Sequence, residues 1–242
     1  KYHIEEGFET ALLHQYREPR FYANIAFDGA IWWGNGNYND VDKGTPQVIR
    51  AKKGDYNGRI GDWRYSITGL YLKKWVDYRS TVTTTTRNFY RQVFPIYRLA
   101  DLYLLYAEAR NEYSGPDEEV YKYLDLVRER AGLKGIIDSW ANYSQYPDRP
   151  TRKDDLREII QQERMIELAF EGKRFWDIRR WKIANSLMNE SLKGWNIEGS
   201  TTEEYYNIVI HNELEFIEQH YLWPISINSL RTNKNLVQNP YW

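Results

Sequence analysis

The sequence of 242 residues predicts a mostly α-helical fold, in which tetratricopeptide-like helical hairpins carry long loops and a few short strands. Through residues 95–188, apolar side chains follow helical spacing, and start and stop signals divide the region into two hairpins. Residues 1–94 are rich in Gly, Asn, Asp and Tyr, a composition typical of loops. Residues 189–242 are irregular again, so we expect three regions along one chain.

Residues 95–132 are predicted to form the first hairpin. Pro95 suits a first helical position, because proline lacks the N–H group that the start of a helix leaves unpaired. The acids of the motif SGPDEEV begin the second helix, where the helix dipole favours negative charge, and Gly132 is expected to end it. The apolar positions of the first helix are Leu99, Leu102, Tyr103, Tyr106 and Ala107, and those of the second are Val120, Leu124, Val127 and Ala131.

A polar loop, residues 133–150, is expected to lead into the second hairpin, residues 151–188. Thr151 and Asp154 have the spacing of a capping box in which Asp replaces the usual Glu. Gly172 is predicted to end the first helix of this hairpin. The buried positions of that helix are predicted to be Leu156, Ile159, Ile160, Ile166, Ala169 and Phe170. Because two such units are fewer than a free-standing solenoid needs, we expect them to pack against the rest of the protein.

Short strands are expected in the two turn-rich regions. The candidate stretches are GLYLKKWVDY and STVTTTT, before the hairpins, and NIVIH, after them. Turn signals such as GNGNYND, KKGDYNG and RIGDW occur throughout the first region, which indicates long packed loops rather than a large sheet.

The composition excludes several classes of function. The 33 basic and 34 acidic residues give a net charge of −1, whereas a nucleic-acid partner would need a concentrated basic surface. The chain has no Cys, which excludes disulfides, thiolate metal sites and cysteine nucleophiles. Its four His residues are scattered, no G-x-S-x-G motif occurs, and no apolar run approaches the length of a membrane span. We therefore expect no metal, no cofactor and no nucleic-acid partner.

The stretch MIELAFEGKRFWDIRRW, residues 165–181, brings acids and arginines together. It could be an active site with paired carboxylates or a structural joint between two helices. Glu163, Glu167 and Glu171 are spaced along one helix, whereas a glycosidase needs two carboxylates that face each other across its substrate. Arginines also lie three residues before and three residues after Asp177. This pattern favours Arg–carboxylate pairs that hold the two helices in register.

The stretch FDGAIWWGNGNYND, residues 27–40, contains two adjacent Trp residues in a segment rich in Gly and Asn. Such loops lie at the surface, where an indole ring is costly unless something covers it. The cover is either protein, from this chain or a partner, or a ligand with flat apolar faces and a polar rim, such as a sugar whose hydroxyl groups bond Asn amides. The candidate ligand-binding residues are Trp32, Trp33, Asn35, Asn37 and Tyr38, with Trp63, Tyr65 and Trp75 as further candidates.

The sequence also contains a set of longer motifs in a fixed order. They are EPRFYANIAFDG, GLYLKKWVDY, FPIYRLADLYLLYAEARNE, LDLVRERAGL, LREIIQQERMIELAFEGKRFWDIRRW and YLWPISINSLRTNKNLVQNPYW. Together they span most of the chain from about residue 17 onward. This set resembles the C-terminal half of the RagB/SusD family of bacterial outer-membrane nutrient-binding lipoproteins.

The resemblance implies a SusD-like scaffold of tetratricopeptide-like hairpins, whose long loops carry the ligand site. It implies a binding protein rather than an enzyme, tethered by lipid to the outer face of the outer membrane. There it would pass oligosaccharides, or peptides in some members, to a SusC-like TonB-dependent transporter. We expect this chain, residues 1–242, to be the C-terminal portion of such a protein, without the lipid anchor, and the N-terminal half of the same protein to complete the site.

The expected function is therefore non-catalytic binding of an oligosaccharide or polysaccharide at the bacterial cell surface, for delivery to the transporter. The indole rings would stack on sugar rings, and the Asn side chains would hydrogen-bond hydroxyl groups. One alternative is a peptide- or protein-docking subunit of the same uptake complex, in which the indoles are interface anchors. Another is a helical glycoside hydrolase that acts through Glu167 or Glu171.

Overall fold

The computed structural model describes residues 4–5, 7–33, 46–61, 65–82 and 87–242, and helices account for most of its regular structure. The helices, in chain order, are α1 Pro19–Asn24, α2 Leu99–Ser114, α3 Glu118–Arg130, α4 Ile136–Tyr143, α5 Lys153–Glu167, α6 Lys173–Arg180, α7 Ala184–Met188, α8 Thr202–Tyr205 and α9 Ile227–Thr232. Within these described segments, no helix has the length and apolar character needed to cross a membrane.

The strands are short and pair in twos. In chain order they are β1 Ile25–Ala26, β2 Ile31–Trp32, β3 Gln47–Val48, β4 Tyr71–Leu72, β5 Thr81–Val82, β6 Arg87–Asn88, β7 Ser191–Trp195 and β8 Ile208–Glu213. The antiparallel pairs are β1–β4, β2–β3, β5–β6 and β7–β8. The stretches GLYLKKWVDY, STVTTTT and NIVIH contribute to β4, β5 and β8. The prediction of a mostly α-helical fold with a few short strands is confirmed.

Helices α2, α3 and α5 pack together, with α4 against α3, around an apolar core. The core residues are Leu104, Ala107, Val120, Leu124, Val127, Ile136, Leu156, Ile159 and Ile160. Burial of each large aliphatic side chain stabilises the fold by roughly 1.5–3 kcal/mol, so this cluster is a main source of stability for the helical region.

The predicted polar loop, residues 133–150, contains helix α4, so that prediction is wrong. Ile136, the first residue of α4, is buried in the core between the helices. Its N–H group donates a hydrogen bond of 2.6 Å to a carboxylate oxygen of Asp125, which fixes the start of the helix against α3. The polar residues on the outer side of this short helix obscure its apolar side in the sequence.

The face of α2 that packs inward also differs from the prediction. Leu99 and Leu102 belong to the predicted apolar stripe, but both are exposed, whereas Asp101, Glu108 and Asn111 are buried. These polar side chains are accommodated because groups from α5 and α6 hydrogen-bond to them. A pattern of hydrophobicity alone therefore assigns the wrong face to this helix.

One predicted helix start is confirmed and two are wrong. Asp117 precedes α3, and its carboxylate accepts a hydrogen bond of 2.9 Å from an N–H group of the first turn. Pro95 lies outside α2, which begins only after Arg98 because the backbone of that residue is extended. Thr151 does not cap α5: its hydroxyl donates to the carbonyl of Asp148 within a preceding 3₁₀ turn.

The turn between α5 and α6, residues 168–172, has a shape that the sequence does not predict. Helix α5 ends at Glu167, and Gly172 directly precedes α6, so Gly172 does not end α5 as predicted. Gly172 has a φ of 74°, a left-handed conformation that glycine adopts without steric cost. Phe170 also has a positive φ, 65°, and is exposed rather than buried.

The loop-rich region packs around a second apolar core that includes residues from the tail of the chain. The members of this core are Tyr22, Ala26, Phe27, Ala30, Ile49, Ala51, Trp195 and Tyr205. Trp32 of β2 packs against its margin. The segment around β2 is thus held by long-range packing, although most of its neighbours are loops.

Candidate functional site

The structure describes two of the five predicted ligand-binding residues. Trp32 lies in β2 and is half-buried, and Trp33 follows it directly with 36% of its surface exposed. Both indoles line an open groove, so neither is sealed inside the protein. Asn35, Asn37 and Tyr38 lie outside the described residues, and their placement at the site remains a prediction.

The groove beside the two indoles, called here the first groove, has a volume of about 510 Å³. Besides Trp32 and Trp33, it is lined by Ala23, Lys73, Lys74, Val76 and Tyr78. The lining therefore combines aromatic rings with two lysine side chains. This combination suits a ligand that has flat apolar faces.

A second groove, of about 460 Å³, adjoins the first, because Trp32 and Val76 line both. Its other lining residues are Gln47, Ile49, Asn57, Tyr71, Leu72, Trp75, Asp77, Ser80, Phe89 and Tyr90. It thus has several aromatic rings and several side chains able to hydrogen-bond. The two grooves together form a longer surface of the kind that an extended, flexible ligand can occupy.

Residues 73–78, called here the groove wall, supply lining residues to both grooves. The wall comes directly after β4, which pairs with β1 so that Tyr71 lies opposite Ala26. The N–H group of Lys73 then donates a hydrogen bond of 2.9 Å to the carbonyl of Asn24. These long-range contacts bring the wall alongside β2.

The charged side chains that line the grooves are paired within the protein. Lys73 donates from Nζ to the carbonyls of Tyr22 and Ile31, at 3.2 and 3.1 Å, and burial lowers its pKa. Asp77 forms a two-pronged ion pair with Arg79 at 2.7 and 2.8 Å, and the hydrogen bonds from Arg79 lower the pKa of its carboxyl. The described groove surface therefore presents mainly rings and hydrogen-bonding groups.

The acids of the stretch 165–181 and the preceding Glu163 form a structural joint, as predicted. Arg20 of α1 contacts Glu163 at 2.6 Å and Glu167 at 3.1 Å. Arg98, which precedes α2, contacts Glu167 at 2.6 Å and Glu171 at 2.7 Å. Further partners of the three acids are Lys74, Arg128 and Arg130. The cations come from four different parts of the chain, so this ion-pair cluster joins the loop region to the helices.

Two carboxylates of the ion-pair cluster, those of Glu167 and Glu171, are held in their ionised form. Burial alone would raise the pKa of Glu167, but hydrogen bonds and charge from Arg98, together with Arg130 and Arg20, lower it below its ordinary value. Glu171 behaves in the same way, through Arg98 and Lys74. A general acid needs a raised pKa, so these groups have the electrostatics of a joint.

A second set of ion pairs surrounds Arg164, which is buried. Arg164 contacts Asp101 of α2 at 3.0 Å and Asp177 of α6 at 3.1 Å, and thereby links three helices. Arg180 contacts Asp177 at 2.9 Å, as their spacing predicts, and reaches Glu108 of α2 at 2.5 Å. The local spacing thus identified one pair, whereas the contacts between helices could not be read from it.

Sequence reasoning found part of the groove lining. Trp75, named as a further candidate, lines the second groove, but Tyr71 and Tyr90 also line it and were missed. Trp63 lies outside the described residues, and Tyr65 does not line either groove as described. Tyr71 is placed by the pairing of β1 with β4, and Tyr90 follows β6, which pairs with β5. No local pattern reveals the pairing of β1 with β4.

The fold is a helical scaffold whose loops present two open, adjoining grooves rich in aromatic side chains. The chain belongs to the SusD family, whose sequence profile matches residues 1–242, and the resemblance predicted above is confirmed. It is 36% identical over 117 residues to SusD-like protein P2 of Formosa agariphila, an alignment that covers 48% of this chain and 22% of that protein.

Solved structures show the same fold. The SusD-like protein BF3747 of Bacteroides fragilis aligns with a TM-score of 0.73 and 29% identity, over 95% of this chain and 40% of that one. A protein described as a SusD-like carbohydrate binding protein, BF0978 of Bacteroides fragilis, aligns with a TM-score of 0.63 and 24% identity, over 96% of this chain and 44% of that one. This chain therefore spans less than half the length of each of these relatives.

Proposed function

We propose that this chain is the C-terminal portion of a non-catalytic protein that binds an oligosaccharide or polysaccharide at the bacterial cell surface. The observation that carries the proposal is the pair of adjoining grooves on either side of Trp32, lined by aromatic rings and hydrogen-bonding side chains. Sugar rings have apolar C–H faces and a rim of hydroxyl groups, and such a surface matches both. Membership of the SusD family supports the same assignment.

In the proposed complex, sugar rings stack on Trp32 and Trp33 in the first groove, and the chain of sugars continues into the second groove. Asn35 and Asn37 supply hydrogen bonds, and Tyr38 adds a further ring. The grooves are open rather than enclosed, so much of the ligand stays in contact with water. We therefore expect weak binding, with a Kd on the order of micromolar to millimolar.

The paired charges in the grooves favour a neutral glycan over an acidic one. Lys73 and Lys74 both line the first groove, but their ammonium groups donate to carbonyl and carboxylate oxygens of the protein. A uronate or sulfate would have to displace those bonds to gain a cationic partner. Hydroxyl groups of a neutral sugar need no such displacement.

The absence of a catalytic role is part of the proposal. Each of Glu163, Glu167 and Glu171 is buried in ion pairs with arginine or lysine, and the shifts at Glu167 and Glu171 keep those carboxyls ionised. A glycosidase needs one protonated carboxyl group that faces a substrate. The ion-pair cluster supplies neither the proton nor the space for a sugar.

For the whole protein we propose attachment by a lipid anchor to the outer face of the outer membrane. There the glycan would pass to a SusC-like TonB-dependent transporter, and the N-terminal half of the same protein would contribute to the site. These partners are what membership of the SusD family implies.

A second candidate function is docking of a peptide or protein, supported by the exposed face of α2. Tyr97, Leu99, Leu102 and Leu105 line an apolar groove of about 460 Å³ there, apart from the two grooves near Trp32. Exposed apolar patches of this kind favour contact with protein. In this alternative the α2 face, rather than the grooves, would carry the binding of an uptake-complex partner.

The test is a binding titration of the full-length protein that contains this chain with neutral oligosaccharides, namely maltoheptaose, cellohexaose, xylohexaose and mannohexaose, and with oligogalacturonate as an acidic comparison. We expect the Trp32→Ala, Trp33→Ala double variant to lose binding by about tenfold or more, since each 1.4 kcal/mol is tenfold. Trp176→Ala, which removes an exposed indole on α6, is the matched control and should bind like the parent. Equal binding by the double variant and the parent would refute the proposal. Tighter binding of oligogalacturonate than of the neutral oligosaccharides would refute the preference for a neutral glycan.

A further inference from the structure

The groove wall is attached to the turn between α5 and α6. Lys74 donates from Nζ to the carbonyls of Glu167 and Ala169, at 3.0 and 2.9 Å, and to the carboxylate of Glu171 at 2.6 Å. Its neighbour Trp75 donates from Nε1 to the carbonyl of Phe170 at 2.9 Å. Two consecutive residues of the wall thus bond to the last residue of α5 and to three residues of the turn.

The turn is also bonded to Arg98, which precedes α2. Arg98 donates to both carboxylate oxygens of Glu171, at 2.7 and 2.8 Å, and to the carbonyl of Glu167 at 2.7 Å. Glu171 therefore bridges the cation of the wall and a cation that precedes α2. Its side chain is 3% exposed, so water competes little for these bonds.

The hydrogen bonds to the turn also fix the orientation of Lys74 and Trp75 relative to the grooves. The ammonium group of Lys74 is bound to the turn, while the residue lines the first groove beside Trp33. Trp75 lines the second groove, and its N–H is bound to Phe170, so rotation of the indole would break that bond. The turn thus restricts both the position of the wall and the direction of one of its rings.

We propose that Glu171 and Lys74 are positioning residues for the two grooves. They do not act by contact with ligand at their charged groups; they hold residues 73–78 at the distance from β2 that the grooves require. This inference deepens the proposed function, and its expected effect on glycan affinity rests on that function. Its expected effect on the position of residues 73–78 does not depend on any ligand. It also gives the acidic stretch 165–181 a role beyond the joint between helices.

The variants that test this proposal are Glu171→Gln, Lys74→Met and Lys74→Arg, with Glu163→Gln as the matched control. Glu163 belongs to the same ion-pair cluster and is equally buried, but its partners are Arg20 and Arg128, outside the wall. The first readout needs no ligand: hydrogen exchange of the Trp75 indole N–H, measured by NMR and assigned with Trp75→Phe. The second is the Kd for whichever neutral oligosaccharide of the panel the parent binds best.

We expect Glu171→Gln and Lys74→Met to speed exchange of the Trp75 indole by tenfold or more and to weaken binding by fivefold or more. Lys74→Arg should keep the exchange rate and the Kd close to those of the parent. Glu163→Gln should change each of these two quantities by less than twofold. All variants are compared at a temperature where they are folded. Unchanged exchange in Glu171→Gln and Lys74→Met would overturn the proposal, and so would equal effects of Glu163→Gln. If neither this chain nor the full-length protein that contains it binds a glycan of the panel, the proposed function fails, and the exchange rates alone decide the positioning role.

Discussion

Trp195 donates a hydrogen bond of 3.1 Å from its indole nitrogen to Nε2 of His14, although the two residues are 181 positions apart in the chain. His14 is buried, and its ring stacks on Phe27 with 4.2 Å between the centroids. The other ring nitrogen, Nδ1, is 2.9 Å from the hydroxyl of Thr10. The neutral imidazole therefore joins the first residues of the loop region to β7 of the tail.

This pair predicts a loss of stability in weak acid. Burial, together with the charge of Arg17, lowers the pKa of His14 from 6.5 to about 4. The unfolded chain therefore binds a proton that the folded chain does not, and the free energy of unfolding decreases as the pH falls from 6.5 to 4, by on the order of 3 kcal/mol in total.

Urea unfolding at pH 7.5 and pH 5.0 measures this effect, with His14→Gln as the comparison. We expect the variant to be less stable than the parent at pH 7.5, because glutamine lacks the ring that stacks on Phe27, and to show a smaller difference between the two pH values, because glutamine does not titrate. A parent whose stability is the same at both pH values would contradict the prediction.

The ion-pair cluster predicts a large cost for the loss of one buried carboxylate. Glu167→Gln leaves Arg20, Arg98 and Arg130 without the negative charge they share, and breakage of a buried pair typically costs about 3–5 kcal/mol. Glu158→Gln is the control, because Glu158 is exposed and pairs with Arg149 at the surface, where such pairs contribute about 0–1 kcal/mol. Urea unfolding at pH 7 compares the two variants, and equal losses would show that the cluster is not a buried joint.

The same cluster predicts that the free energy of unfolding decreases in acid. The lowered pKa of Glu167 means that its contribution is complete above the ordinary pKa of 4.5 and is lost as the pH falls below it. Glu167→Gln should therefore flatten the decrease in stability that the parent shows between pH 5 and pH 3. A variant that keeps the full decrease would show that other groups cause it.

The orientation of α2 predicts opposite outcomes for two leucines of one helix. Leu104 is fully buried and Leu102 is exposed, whereas the hydrophobic pattern predicts burial for Leu102. Leu104→Ala should lower the free energy of unfolding by about 2–5 kcal/mol, because it leaves a cavity in the core. Leu102→Ala should change it by less than about 0.5 kcal/mol, as is usual for a surface site. Chemical denaturation decides the matter, and the reverse order of the two effects would contradict the assigned orientation.

Local sequence signals predict those features that depend on local contacts. The acids after Pro116 indicate the start of α3 because the cap at Asp117 lies within one turn of the helix. The pairing of Asp177 with Arg180 follows from their helical spacing. These contacts need no knowledge of how the chain returns on itself.

The remaining features depend on contacts between distant segments. The stretch 165–181 indicates a joint, but its partners Arg20 and Arg98 lie far away in the chain, so no spacing rule identifies them. The grooves likewise arise because β4 pairs with β1, which places Trp75 near Trp32. The Trp-rich stretch therefore predicts one side of the grooves, and the pairing of distant segments supplies the other.

The most direct test of the glycan-binding proposal is to map where the ligand contacts the protein. NMR of the indole N–H groups, during titration with the neutral oligosaccharide that binds best, reports each Trp residue separately. We predict shifts that saturate together at Trp32, Trp33 and Trp75, with Trp176 and Trp223 unchanged. Shifts confined to Trp176 and Trp223, or no shift at Trp32 and Trp33 when binding is saturated, would contradict recognition in the two grooves.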